Sequence, residues 1–194
     1  VEVRIAEDGE ILVRGELVMH GYWRNEPETA RVLKDGWLHT GDIGELDEKG
    51  RIRITDRKKD IIVNDKGENI SPQKIEGMLT LQPEIVQAMV SGDKRPHLVA
   101  LIVPDPEWAA EWAVANDIKY DLAALSDLPA FRSAVMDAVD RVNRQVTLTE
   151  KVRNITLTPD GFTIDNEMLT PSLKIRRHVI RQVYGDQIDG LYRV

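Results

Sequence analysis

Gly36-Trp37-Leu38-His39-Thr40-Gly41-Asp42, Asp56-Arg57-Lys58-Lys59-Asp60 and Gly67-Glu68-Asn69-Ile70-Ser71-Pro72 follow one another between Gly36 and Glu76, with Ile75-Glu76 closing the stretch. Before it the chain reads as short strands and tight turns. Glu7-Asp8-Gly9 separates two β-rich runs, residues 3–5 and 10–13, and Asp-Gly favours a hairpin because both residues tolerate positive φ. Asn25 to Leu33 predicts a short helix, and residues 43–46 and 51–55 a further strand pair around Asp47-Glu48-Lys49-Gly50. Past Lys59, strands mix with longer helices. The first 56 residues thus predict a small antiparallel β unit, and the stretch a junction to a region of mixed α+β structure.

Within the second region, Ile61-Ile62-Val63 and Glu68-Asn69-Ile70 predict a hairpin. Ser71 and Pro72 then open a helix whose Ile75, Met78 and Leu79 share a face until Pro83 ends it. Residues 86–90 and 98–103 are dense in β-formers and read as paired strands. Asp105-Pro106 starts a helix that spaces Trp108 and Trp112 four residues apart. Ser126-Asp127-Leu128-Pro129 opens another, with Phe131, Val135, Val139, Val142 and Val146 along one stripe that is core packing. Residues 152–157 make a further strand, and a basic amphipathic helix is expected from Lys174 onward.

With 194 residues of which 42% are apolar, the chain can build one moderate core or two small ones. No apolar run approaches the ~20 residues that cross a bilayer, and no leader-like segment opens the chain, so a cytoplasmic protein with at most a peripheral hold on the membrane is expected. The chain has no cysteine and four histidines without ligand-like spacing, so no metal site is predicted. A net charge of -7 argues against nucleic acid as a partner. Two local basic clusters, Arg57-Lys58-Lys59 and Lys174 with Arg176, Arg177, His178 and Arg181, could meet one small anionic ligand, although composition alone favours solvated surface charge. Val1 opens inside strand material without an initiator methionine, which predicts a fragment or a processed product.

An ionised carboxylate such as Asp42 can accept two hydrogen bonds from a vicinal diol, although a turn aspartate ordinarily satisfies nearby N–H groups. Arg57 offers a fixed fork of donors for ribose or phosphate oxygens, against the plainer expectation of an ion pair with Asp56 or Asp60.

The opening stretch, with Gly15-Glu16 and Val18-Met19-His20-Gly21-Tyr22 ahead of it and Leu169-Thr170-Pro171-Ser172-Leu173-Lys174-Ile175-Arg176-Arg177 downstream, resembles the adenylate-forming superfamily of acyl-CoA synthetases, luciferases and nonribosomal peptide adenylation domains. The resemblance covers essentially the whole chain and implies an α+β architecture in which residues 1–58 are the last β subdomain of a large amino-terminal domain and residues 59–194 a mobile carboxyl-terminal domain. It implies Asp42 and Arg57 as nucleotide ligands and Lys59 as the hinge. Lys174 becomes the catalytic cation between fatty acid carboxylate and α-phosphate, although a lone lysine is ordinarily just solvated. Gly67 becomes the residue past which the pantetheine arm of coenzyme A runs, alongside its plain role as a hairpin glycine. ATP and coenzyme A are the implied co-substrates, with Mg²⁺ held mainly by phosphates and by residues this chain lacks. The partner is the chain's own missing amino-terminal domain.

Ten residues separate Arg57 from Gly67, one more than in many relatives, and Ser172-Leu173-Lys174 stands where many have Ser-Gly-Lys. Both features look like the long-chain fatty acid–CoA ligases. A ligase for a medium-chain or aromatic acid, a stand-alone nucleotide-binding or interaction module, and an α+β domain without a ligand are the alternatives. As a fragment lacking the phosphate loop and acyl pocket, the chain alone is expected to be inactive.

Overall fold

A computed structural model describes residues 1–193, and its backbone packing separates two compact units between Ile61 and Ile62. The first contains β1 (Glu2–Ile5), β2 (Glu10–Arg14), α1 (Glu26–Val32), β3 (Leu33–Lys34), β4 (Trp37–Leu46) and β5 (Ile52–Arg57). All its strand pairings are antiparallel: β1, β2, β4 and β3 lie in that order, and β5 also pairs with β4. Asp35 and Gly36 both take positive φ, 51° and 78°, and join Lys34 to its partner Trp37. This is the mirror-image two-residue turn whose twist matches the strands it links. Asn25 caps α1 by accepting the N–H of Glu28, and the guanidinium groups of Arg4 and Arg14 lie 4.4 and 4.6 Å from the ring centre of Trp37.

The second unit starts with the hairpin of β6 (Ile62–Val63) and β7 (Asn69–Ile70) and continues into α2 (Pro72–Leu79), where Ser71 accepts the N–H of Lys74. Then come β8 (Ile85–Ser91), β9 (Leu98–Pro104), α3 (Pro106–Ala115), α4 (Leu122–Ser126), α5 (Pro129–Asn143), β10 (Val152–Leu157) and α6 (Arg177–Gly190). The sheet order is β10-β9-β8, with β8 antiparallel and β10 parallel to the central β9.

Successive side chains of a strand alternate between its faces, so a fully apolar strand can serve two cores. Leu98, Ala100 and Ile102 of β9 pack with Ile75, Leu79, Phe131, Val135 and Val139 from α2 and α5. Val99, Leu101 and Val103 face Phe162 and Ile180, Tyr184 and Ile188 of α6. Burying each Leu or Ile contributes about 1.5–3 kcal/mol, and all six of these β9 side chains are buried. The mixed α+β class follows the sequence reading.

Three local expectations change. Ser126 ends α4, its hydroxyl donating to the Leu122 carbonyl, so it does not cap the next helix; α5 starts at Pro129 without a side-chain cap. Val146 falls beyond the end of α5, whose last residue, Asn143, makes two side-chain hydrogen bonds of 2.9 Å with the backbone of Val152. The last helix begins at Arg177 because residues 169–175 form a turn of their own. Leu169 and Ile175 make a β-bridge, Thr170 N–H donates to the Lys174 carbonyl, and Leu173 sits at φ 59°.

Candidate functional site

Asp42 and Arg57 are cross-strand partners on β4 and β5, and the Arg57 Nε lies 2.8 Å from Asp42 Oδ1. The neighbouring Asp56 carboxylate accepts the backbone N–H of Arg57, so the guanidinium is paired with Asp42 and not with either acid beside it in sequence. Asp42 is partly shielded and Arg57 about half exposed. Among the described residues, the second carboxylate oxygen and the terminal guanidinium nitrogens have no hydrogen-bond partner. An acceptor set beside a donor fork suits vicinal hydroxyls.

A buried acid that sequence reasoning passed over underlies this pair. Glu10, 4% exposed, accepts the N–H of Gly41 at 2.9 Å and the ammonium of Lys58 at 3.0 Å, and its Oε2 lies 2.9 Å from His39 Nδ1. Lys58 also donates to Asp8 at 2.6 Å. Gly41 immediately precedes Asp42 and Lys58 immediately follows Arg57, and the Lys58 N–H donates to the Gly41 carbonyl. Glu10 thus grips both strands next to the ion pair. Burial pushes the Glu10 carboxyl up, but bonds from His39, Lys58 and Gly41 outweigh it and hold the group below its usual range. Hydrogen bonding to Asp8 and then Glu10 raises Lys58, and the same ammonium lowers Asp8. A cleft of about 550 Å³ opens beside these groups, lined also by Arg4 and Ile5. The sequence signal was a charged residue opening the apolar run Glu10-Ile11-Leu12-Val13.

Lys59 lies exposed in the turn that follows β5, where the N–H groups of Asp60 and Ile61 both donate to the Arg57 carbonyl. Gly67, in the second unit, takes φ +80° in the loop between β6 and β7, and nothing lies within 4 Å of where a Cβ would stand. Asn64 holds this loop, its side-chain oxygen accepting the N–H groups of Lys66 and Glu68. The hairpin is therefore firm behind Gly67 and open in front of it.

Lys174 occupies the 169–175 turn, exposed, its backbone N–H donating to Thr170 Oγ1 at 3.0 Å. Among the described residues, no acidic side chain pairs with its ammonium. Beside the turn lies a largely apolar groove of about 720 Å³ lined by Val86, Ala88, Phe162, Leu169, Leu173 and Ile175, among others. Of the five residues singled out from sequence, the structure brings Asp42 and Arg57 into contact; Lys59 belongs with them in the first unit, and Gly67 and Lys174 belong to the second. Among the described residues, no group of three or more His, Asp or Glu side chains is arranged to hold a metal ion, and no helix is long and apolar enough to cross a membrane.

Residues 59–194 match the family model described as the AMP-binding enzyme C-terminal domain. The long-chain-fatty-acid–CoA ligase FadD15 of Mycobacterium tuberculosis is 42% identical over 193 residues, which cover 98% of this chain and 32% of that protein. Long-chain-fatty-acid–CoA ligase 1 of Homo sapiens is 38% identical over 189 residues, 95% of this chain and 27% of that one. Among solved structures, the A domain of a carboxylic acid reductase from Segniliparus rugosus, in complex with AMP and a co-purified carboxylic acid, superposes with a TM-score of 0.80 at 26% identity, covering 95% of this chain and 28% of that chain. The chain spans about a third of the length of the curated relatives it matches.

Proposed function

From the premise that this chain belongs to the AMP-binding enzyme C-terminal domain family, we propose that it is the carboxyl-terminal portion of a long-chain fatty acid–CoA ligase. In the first half-reaction a fatty acid carboxylate oxygen attacks the α-phosphorus of ATP, pyrophosphate leaves, and acyl-AMP forms. In the second, the coenzyme A thiolate attacks the acyl carbonyl and AMP leaves. Asp42 accepts hydrogen bonds from the ribose hydroxyls and Arg57 donates to the nucleotide beside it. Negative charge gathers between the attacking carboxylate and the phosphate, and the Lys174 ammonium stabilises it there. Rotation about Lys59 then withdraws Lys174 and presents Gly67, whose open face leaves room for the pantetheine arm.

The observation that carries the adenylation role is the placement of Lys174, exposed on a tight turn with no carboxylate partner among the described residues. A lysine so held keeps its charge available for a substrate. The chain-length reading rests on the relatives named above and on the ten-residue spacing from Arg57 to Gly67. Mg²⁺ in this reading is held by the ATP phosphates and by residues outside this chain, and the phosphate loop and acyl pocket belong to the amino-terminal domain.

Lys174→Ala in the full-length ligase should lower ATP–pyrophosphate exchange with palmitate by about a hundred- to a thousandfold. Thioester formation from supplied palmitoyl-AMP should persist. Exchange left intact by that substitution would overturn the reading. The 194-residue chain alone should show no exchange.

A further inference from the structure

Glu76 is 6% exposed, yet the adenylation chemistry leaves it without a role. Its two carboxylate oxygens receive the two terminal nitrogens of Arg177, Nη1 to Oε1 at 2.6 Å and Nη2 to Oε2 at 2.7 Å. Oε1 also accepts the N–H of Val90 at 2.7 Å, and Arg177 Nη1 donates to the Val90 carbonyl at 3.2 Å. The pair therefore links α2 to the first residue of α6 and seats both on the backbone of the edge strand β8, across 101 residues of sequence. A two-pronged guanidinium–carboxylate contact fixes direction as well as distance, which a single ion pair does not.

The position of Arg177 gives this clamp its meaning. It stands three residues after Lys174, and the Lys174 turn is exposed from Pro171 to Lys174. On the upstream side the turn is tied by the Leu169–Ile175 bridge and by Arg176 N–H donating to the Met168 carbonyl. Downstream, Ile175 packs against the α6 core, and Arg177 is the first side chain to make directional hydrogen bonds with a buried partner. The Gly67 hairpin, by contrast, has its own moorings: Asn64 within the loop, Lys94 N–H on the Val63 carbonyl and Asp65 N–H on the Arg95 carbonyl.

We propose that the buried Glu76–Arg177 clamp is the positioning device for Lys174, setting where its ammonium stands during acyl-adenylate formation while leaving the coenzyme A step to the separately anchored Gly67 hairpin. Glu76 and Arg177 are positioning residues: they act through Lys174 and touch no reacting atom. This inference rests on the reading of Lys174 given above.

Its test uses the full-length ligase, with adenylation read as ATP–pyrophosphate exchange with palmitate and the second step read as thioester release from supplied palmitoyl-AMP. Glu76→Gln keeps the side chain's size and an acceptor for Val90 N–H but removes the charge, and Arg177→Lys keeps the charge but removes the fork. Each should lower exchange by about a hundredfold, the loss that a misplacement near 1 Å brings, with thioester release little changed below the melting temperature, which the loss of a buried ion-pair partner lowers. On the residual exchange of Lys174→Ala, adding Glu76→Gln should cost nothing more, because a residue that acts through the lysine has nothing left to position. Unchanged exchange in both single variants, or a parallel fall of both half-reactions below the melting temperature, overturns the clamp as a positioning device. If instead Lys174→Ala itself leaves exchange intact, the assignment of Lys174 fails, and that result is separate from the other two.

Discussion

At the scale of single residues, Leu173 is the position where the chain works against its own chemistry. An L-residue in the left-handed region costs about 1–2 kcal/mol, and Leu173 holds φ 59° with its side chain 68% exposed, so little burial offsets the strain. Leu173→Gly should therefore stabilise the protein by about 0.5–1 kcal/mol in urea unfolding, the relief of strain less the extra freedom glycine gains when unfolded. A loss of stability would mean that the Leu side chain holds the turn together. The resemblance had marked this position as one where relatives carry glycine, and the backbone explains why glycine suits it. Asp42 and Arg57 stood out in the sequence only through the resemblance, because a turn aspartate and a surface arginine taken alone favour local partners. Glu10 did not: its burial depends on His39, Gly41 and Lys58 arriving from 29, 31 and 48 residues away. Nor did any periodicity pair Arg57 with Asp42 in place of its neighbours Asp56 and Asp60, since that choice follows from the β4–β5 register.

Among the elements, α5 shows how far a hydrophobic stripe can be trusted. Phe131, Val135, Val139 and Val142 are buried as the stripe predicts, and Phe131 lies within 5.4 Å of the Trp108 ring centre and 5.1 Å of that of Trp112. Phe131→Ala should cost about 3–5 kcal/mol, lost transfer energy plus a cavity that the two indoles do not fill. Val146→Ala, which continues the stripe on paper but lies past the helix end, should cost less than about 1 kcal/mol, and denaturant midpoints of the two variants give the comparison. The strands were legible because β9 is an unbroken apolar run and β8 carries β-formers, whereas the parallel pairing of β10 on β9 was not, because direction depends on the path of the intervening helices. Helix α4 escaped notice for a similar reason. Five residues show no full period, and only Asp121, accepting the N–H groups of Ala123 and Ala124, announces it.

For the molecule as a whole, the division after Ile61 has a direct readout. Lys58 is held by Asp8 and Glu10, whereas Lys59 is exposed in the following turn with no partner among the described residues. Brief trypsin treatment should cut first at this turn and leave a resistant piece starting at residues 59–60, identified by mass spectrometry; a first cut inside 62–193 would contradict the division. The late position of α6 carries a further consequence, for synthesis. As the chain leaves the ribosome, β8 and β9 can pair at once against α2, but the rest of their helical cover arrives later: α5 ends at residue 143 and α6 at 190. At about 5–20 residues per second, the apolar face that awaits α6 stays uncovered for on the order of ten seconds after β9 emerges. Nascent chains of this protein are thus expected to need a chaperone's cover during that interval, and late truncations that remove α6 should aggregate instead of folding.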